Sequence, residues 1–460
     1  MNSSRNISDD RKESKNVAVL LSKTLDLPPS CLEFVPRNKN QTAEHFIVGT
    51  YHLQHENGLV QHDSNESHEQ SRMGSLILFR LHGRSLDLVE TVPFPSAILD
   101  LHFYHDEKIF AVASSTGVIS IFQLDEKNKD YAIKQLASHQ VAPKDILVLS
   151  FAWYPIVNIH DAIQSPIAFF TLSNGQVLAI RFSTDFESFS ALNRGAPLIV
   201  HEDNAWTCAV TRCTLFSGSD DSILSRLDFD RELIDTGDEN NVEASKKDIV
   251  IGPPAQNNYK GHNAGVIAIL ILPIHSSENL GNFILTGSYD DYVRVFFVIP
   301  NNFGTRSNDI SKRAELKIGN GVWRLKIMGA RPLKLRDKND EWEYLVLASC
   351  MRGGALILKV AGSYAGDWNI EIQAEMRAHQ SMCYASDVQP QRSFSKGSES
   401  CEDELSDQIS SPKVWTVVSS SFYDKLLVVW EYTSLNSSLS STILNNGSVE
   451  HQNLLHEKAR

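Results

Sequence analysis

Seven times along the chain, a short run of β-branched and aromatic residues is followed by a turn of small or acidic residues and then by a second alternating run. The runs are HFIVGTY with GSLILFRL (separated by a long insert), KIFAVASSTGVISIFQL, IAFFTLSNGQVLAIRF, CTLFSGSDDSILSRLDF, NFILTGSYDDYVRVFFV, EYLVLASCMRGGALILKV and WTVVSSSFYDKLLVVWEY. Alternation with a period of two, interrupted by turn residues, predicts a β-hairpin at each. Equivalent turn positions fall at Gly74, Gly117, Gly175, Ser222, Asp291, Gly354 and Lys425. A lone hairpin is barely stable in water. A chain built from seven of them must therefore stack them or close them on one another.

The shortest spacing, from Gly74 to Gly117, is close to the roughly 40–45 residues of a WD40 unit, and the longer spacings coincide with polar stretches. The expected fold is all-β: a seven-bladed WD40-type β-propeller with polar loop insertions, a closed ring that leaves only short sheet edges. Length alone, 460 residues, would suggest about three domains; the repeat replaces that with one body over 17–432. The segment from Ser30 to Val35 is expected to supply the last blade's outer strand and close the ring. Residues 1–16 are expected to be a disordered N-terminal segment and 433–460 a flexible tail. Flexible inserts are expected at about 55–72 and 391–411, because such polar stretches bury too little apolar area to order themselves.

Within the repeats, His262 and His379 precede hairpins whose turns carry Asp290 and Asp424, and His201 stands in the same relation to Asp221. An imidazole there can bond the turn carboxylate, while the carboxylate satisfies backbone donors of the tight turn. A structural role is the preferred reading for His201, His262 and His379, and for Asp221, Asp290 and Asp424. Phe296 stands where a WD pattern ends in Trp-Asp, and Trp430-Glu431 closes the seventh unit.

Composition removes several function classes. The 43 Lys and Arg against 56 Asp and Glu give a net charge of −13 with no basic cluster, which argues against direct nucleic-acid binding through a broad basic face. The longest apolar run, Val266 to Ile274, is far short of the roughly 20 residues of a membrane span. The N-terminus lacks the apolar stretch of a secretory signal. A cytoplasmic protein is expected, with a nuclear location also open, and a monomer. The six cysteines, Cys31, Cys208, Cys213, Cys350, Cys383 and Cys401, contain no CxxC pair, so neither a disulfide framework nor a structural metal is expected. No nucleophile elbow, zincin motif, phosphate loop or dinucleotide fingerprint is present, and no cofactor is expected. A propeller can still build a site from loops remote in sequence.

Trp206, Trp323 with Arg324, and Tyr384 each sit where an inner strand should begin, which would bring them to one mouth of the central channel. They either pack between blades or form an aromatic collar for a cation. Cys350, Met351 and Arg352 lie in a turn facing the same way, and Cys350 reads as an inert thiol.

At these residues the sequence resembles the WD-repeat diphthine methylesterase family of diphthamide biosynthesis. The matching stretches are HEDNAW with FSGSDDSIL, TGSYDDYVRVF, GNGVWRLK, LASCMRGG, AHQSMCYASD and SSSFYDKLLVVWEY, in the family's order, from about Gly49 to Tyr432. Arg352 and Val388 depart from the pattern. The resemblance implies hydrolysis of a methyl ester on the modified histidine of translation elongation factor 2, the protein substrate, to give diphthine. That substrate carries a quaternary ammonium near the ester, which gives Trp206, Trp323 and Tyr384, with Arg352 beside them, a binding role. Hydrolysis would need a base and an electrostatic stabiliser; His262 or His379 would serve as the first and Arg324 as the second. The competing class is a non-catalytic scaffold or ubiquitin-ligase substrate receptor. Such receptors carry W-D-x-R after a hairpin, where this chain has only Leu227-Asp228-Phe229-Asp230-Arg231.

Overall fold

Each of the seven hairpins forms the middle of an antiparallel sheet, flanked by an inner strand on one side and an outer strand on the other. The computed structural model describes residues 14–36, 44–53, 72–105, 107–127, 130–155, 165–229, 257–273, 281–299, 310–334, 341–390 and 413–434. The terminal segments and inserts expected at 1–16, 55–72, 391–411 and 433–460 lie outside these residues except at their edges, as do Asp230 and Arg231. The inner strands of blades 1 to 7 are Pro29–Phe34, Ile98–Phe103, Val148–Trp153, Ala205–Val210, Val266–Leu272, Val322–Lys334 and Cys383–Val388. They make a seven-bladed β-propeller. No helix among the described residues is long and apolar enough to cross a membrane.

One expectation is corrected. The outer strand of blade 7 is Val17–Thr24, paired antiparallel with Leu426–Thr433, whereas Pro29–Phe34 is the inner strand of blade 1. The physical reason lies in burial: Pro29–Phe34 is almost wholly buried, as an inner strand must be, while Val17–Thr24 alternates between half-buried and exposed.

The turn chemistry holds the hairpins in register. Gly117, Gly175 and Gly354 have φ of +69°, +82° and +71°, and the equivalent Ser222, Asp291 and Lys425 also have positive φ. At Gly354 a Cβ would fall 2.1 Å from the Met376 carbonyl oxygen, so glycine is required there by space as well as by φ. The turns at Ser222 and Asp291 are held by the preceding carboxylates. Asp221 Oδ1 accepts from the Ile223 N–H at 2.8 Å and Asp290 Oδ1 from the Tyr292 N–H at 3.1 Å.

Each pair of neighbouring blades encloses its own apolar cluster, from blades 1 and 2 around to blades 7 and 1. The hydrophobic burial that holds the ring together is therefore spread around it.

Every inner strand also skips one residue in its pairing, near its start. The residues left out are Ser30, Leu99, Leu149, Trp206, Ile267, Trp323 and Tyr384. A bulge frees a side chain from the alternation of the ladder and re-aims it. Repeated around the ring, it places Leu99, Leu149, Trp206, Ile267 and Trp323 on the channel wall.

Candidate functional site

The channel holds a cavity of about 470 Å³ on the propeller axis. Its mouth lies where the inner strands start and the hairpin turns return. The bulged Trp206 and Trp323 line it, with ring centroids 5.4 Å apart. The aromatic surface continues from Trp323 to Tyr384 at 4.6 Å, and Tyr289 stands 6.3 Å from Trp323. Tyr384 meets Phe422 at 5.0 Å, and Phe422 meets Tyr51 at 5.8 Å. Trp206, Trp323 and Tyr384 thus belong to one run of contacting rings, which Tyr289, Phe422 and Tyr51 extend. Tyr289 and Phe422 come from hairpin turns and Tyr51 from the end of a strand. Their signal was their position: those turns return to the face from which the inner strands set out.

One strand step below the collar, at about 3.3 Å per residue, the wall becomes ionic. Arg324 of blade 6 reaches across the axis to Asp100 of blade 2, Nη2 to Oδ1 at 2.8 Å, and its Nη2 also donates to the Leu99 carbonyl at 3.4 Å. Two residues deeper, His102 lies between two carboxylates, with Nδ1 2.9 Å from Glu33 and Nε2 3.3 Å from Asp100. Lys326 contacts Asp387 at 2.7 Å and Glu33 at 3.8 Å. Asp100 also accepts from Ser150 Oγ at 2.7 Å and from the Phe151 N–H at 3.2 Å. Three cations face three carboxylates drawn from blades 1, 2, 6 and 7. None of Glu33, Asp100, His102, Lys326 or Asp387 was singled out from the sequence, because each is a lone polar residue in its own strand.

Burial disfavours the ionised form of Asp100, but Arg324, His102 and Ser150 outweigh it and hold the carboxyl well below the usual range. Glu33 is likewise lowered, with Lys326 and His102 prevailing over burial. His102 moves the other way: burial opposes its charge, yet Asp100 and Glu33 together raise its pKa to about 10. A raised histidine pKa stabilises the fold fully below the unfolded value of about 6.5, and this contribution is lost as pH rises through about 10. The stability difference between wild type and His102→Gln should therefore be largest near about pH 6 and shrink by about pH 9.5. Urea unfolding at the two pH values checks this; a difference that stays constant or widens would show that His102 is not held as an imidazolium.

The two expected bases lie elsewhere. His262 accepts from Arg294 Nη1 at Nδ1 (2.9 Å), and its Nε2 meets Thr286 Oγ1 at 3.3 Å. Burial, with Arg294 beside it, lowers its pKa to about 4. His379 has Ser421 Oγ 2.7 Å from Nδ1 and Ser419 Oγ 2.8 Å from Nε2, and burial likewise lowers its pKa to about 4. Each ring has both nitrogens engaged by its own blade, and neither residue lines the cavity. His201 ties its blade through Asp221 at 3.1 Å and Ser217 at 3.0 Å. Asp290 accepts from the Asn263 N–H at 2.9 Å and Asp424 from the Gln380 N–H at 3.0 Å. Direct imidazole–carboxylate bonding therefore occurs at His201, whereas serine or threonine hydroxyls and Arg294 take that place at His262 and His379. Arg352 is exposed in its turn and does not line the cavity. Of the expected active groups, the structure brings together Arg324, Trp206, Trp323 and, at the collar, Tyr384.

Fold and site together define a propeller with an axial cavity, aromatic at the mouth and ionic beneath. No family model matches the chain. It is similar to a diphthine methyltransferase homolog of Dictyostelium discoideum, 23% identical over 433 residues, covering 89% of this chain and 98% of that one. It is also similar to the diphthine methyltransferase of Schizosaccharomyces pombe, at 27% identity covering 74% and 83% of the two chains. The same-named protein of Saccharomyces cerevisiae is 25% identical, covering 78% and 90%. Among solved structures, Sqt1 of Chaetomium thermophilum superposes with a TM-score of 0.49 at 11% identity, covering 87% of this chain and 81% of that one. Sqt1 of Saccharomyces cerevisiae gives 0.48 at 10% identity, covering 90% and 98%.

The relatives' names correct one expectation. They are named for methyl transfer on diphthine, which keeps the diphthine side chain in view but overturns the ester-hydrolase reading drawn from the resemblance. The non-catalytic scaffold gains no support from them.

Proposed function

We propose that this chain is an enzyme of the diphthamide pathway, acting at the methylated diphthine side chain of elongation factor 2, and that this side chain enters the axial cavity. The observation that carries the proposal is the pair Trp206 and Trp323 lining the cavity, with Tyr384 packed on Trp323. A quaternary ammonium has no N–H to donate, so hydrogen-bond acceptors cannot recognise it. Aromatic faces attract it through their quadrupoles, at about 0.5–2 kcal/mol per contact depending on desolvation. The names of the three relatives support the same side chain.

The test is to incubate the purified protein, with and without an added sulfonium methyl donor, with elongation factor 2 bearing the diphthine side chain in its methylated and unmethylated forms, and to weigh the peptide that holds the modified histidine. A change of one methyl group is the expected result, and its sign reads the direction of the chemistry. Tight binding with no change in mass would leave a receptor and remove the enzyme reading.

A further inference from the structure

A second cavity, of about 260 Å³, lies at the seam between blades 6 and 7 and shares no lining residue with the axial one. Strand register explains its blade 6 wall. Gly329, Leu345, Lys359 and Glu371 stand opposite one another across the sheet, and Arg331 with Glu343 forms the next row on the same face, since residues two apart in a strand point the same way. Glycine at 329 leaves room for blade 7: a Cβ there would fall 2.9 Å from Trp415. Lys413 Nζ lies over the Trp415 ring, 4.0 Å from its centroid. Asn16 and Ser434, which flank the two strands that close the ring, complete the lining.

Three cations line this pocket, Arg331, Lys359 and Lys413, and two of them are matched. Arg331 binds Glu343, with Nε 2.8 Å and Nη2 2.7 Å from the same Oε1, and Lys359 binds Glu371 at 2.7 Å. Lys413 is held by its backbone, whose carbonyl accepts from the Ser434 N–H at 2.9 Å. Its ammonium meets the Trp415 face, and no carboxylate among the described residues pairs with it. Desolvation lowers its pKa, with no neighbouring charge to offset the effect. In a chain of net charge −13, the seam pocket thus carries a positive charge in excess.

We propose that this pocket is an oxyanion site that takes a phosphate group, with Lys413 supplying the unmatched charge and Arg331 and Lys359 donating from the blade 6 wall. Both matched cations keep N–H groups beyond those their carboxylates use. Charge-assisted bonds of this kind are the strong ones. Cations on two walls suit a tetrahedral group, whose oxygens point in more directions than those of a planar carboxylate. The site is independent of the proposed function, since none of its residues lines the axial cavity. Asn16 and Ser434 belong to the two ends of the ring-closing pair, so a bound phosphate sits where the ring shuts, and binding that the unfolded chain lacks stabilises the fold by mass action.

Free phosphate and a phosphorylated side chain present the same group, so inorganic phosphate and O-phosphoserine are the two probes, and the tighter of them names the source. Thermal melts of the full chain, at an ionic strength fixed with chloride, read binding as a rise in Tm with ligand concentration. Inorganic phosphate should bind wild type with a Kd of about 1 mM, the order expected of a few charge-assisted contacts to a small ion. Lys413→Met should weaken binding about tenfold or more, whereas Lys413→Arg should stay within about threefold. Phosphate also stabilises proteins through exclusion from their surface; that part is common to all variants, so the difference between wild type and Lys413→Met is the readout. Equal melting of the two chains in chloride alone checks that the substitution leaves the fold intact. An equal rise in Tm for wild type and Lys413→Met, or acetate acting as well as phosphate, would overturn the inference and leave Lys413 as a side chain that covers Trp415.

Discussion

Replacing Asp100 by alanine is expected to lower the unfolding free energy by about 3 kcal/mol, read as a lower urea midpoint with an unchanged slope. The carboxylate is 1% exposed and serves Arg324, His102, Ser150 Oγ and the Phe151 N–H at once. Its removal leaves two cations and two neutral donors without their common acceptor. The figure sits at the low end of the roughly 3–5 kcal/mol for breaking a buried pair, because the Arg324 side chain keeps 27% of its surface exposed and can recruit water. A double variant isolates the pair. Asp100→Asn with Arg324→Gln should be more stable than Asp100→Asn alone, since no uncompensated guanidinium remains. If the double variant is the less stable, the cross-axis ion pair is not what makes Asp100 important.

If the proposed function holds, Trp323→Ala should reduce turnover of the diphthine-bearing factor by roughly 100-fold in kcat/KM while leaving the propeller folded. Trp323 is the centre of the collar, in contact with Trp206, Tyr384 and Tyr289. Its loss removes one cation–π face, worth about 2 kcal/mol when desolvated, and loosens the neighbouring rings, which pack on it at about 0.5–1.5 kcal/mol per pair. About 3 kcal/mol corresponds to somewhat more than 100-fold. Trp323→Phe, which keeps a π face, should stay within about tenfold of wild type. The check is steady-state kinetics alongside thermal melts of both variants. Loss of less than about threefold in Trp323→Ala would place the ammonium elsewhere.

The hairpins were legible because their signal is local. Alternation reports one buried face, and residues tolerant of positive φ at Gly117, Gly175, Ser222, Asp291, Gly354 and Lys425 mark the turns. The closing strand was misplaced because pairing between Val17–Thr24 and Leu426–Thr433 leaves no mark in either segment. The collar was half legible, since the start of an inner strand can be located from the hairpin that follows it. The ionic layer was not legible. Asp100 follows Ile98 by two residues, as Arg324 follows Val322, but that shared offset means nothing until the bulges fix both at one depth. His262 and His379 carried two readings because a histidine that ties strands and a histidine that moves protons look alike until both ring nitrogens are accounted for.

The strand Val17–Thr24 lies near one end of the chain and its partner Leu426–Thr433 near the other. On a ribosome moving at about 5–20 residues per second, the first of these emerges tens of seconds before its partner exists. For that interval the nascent chain carries an alternating strand with no sheet to join, and blade 1 has no blade 7 against which to bury Phe34 and Phe46. Such a strand is a template for pairing with a foreign edge. Lys23, just after the apolar run Val17 to Leu21, is the one charge in this strand and opposes such pairing while it waits. Biosynthesis of the ring is in this respect a problem of timing: the last blade translated completes the first.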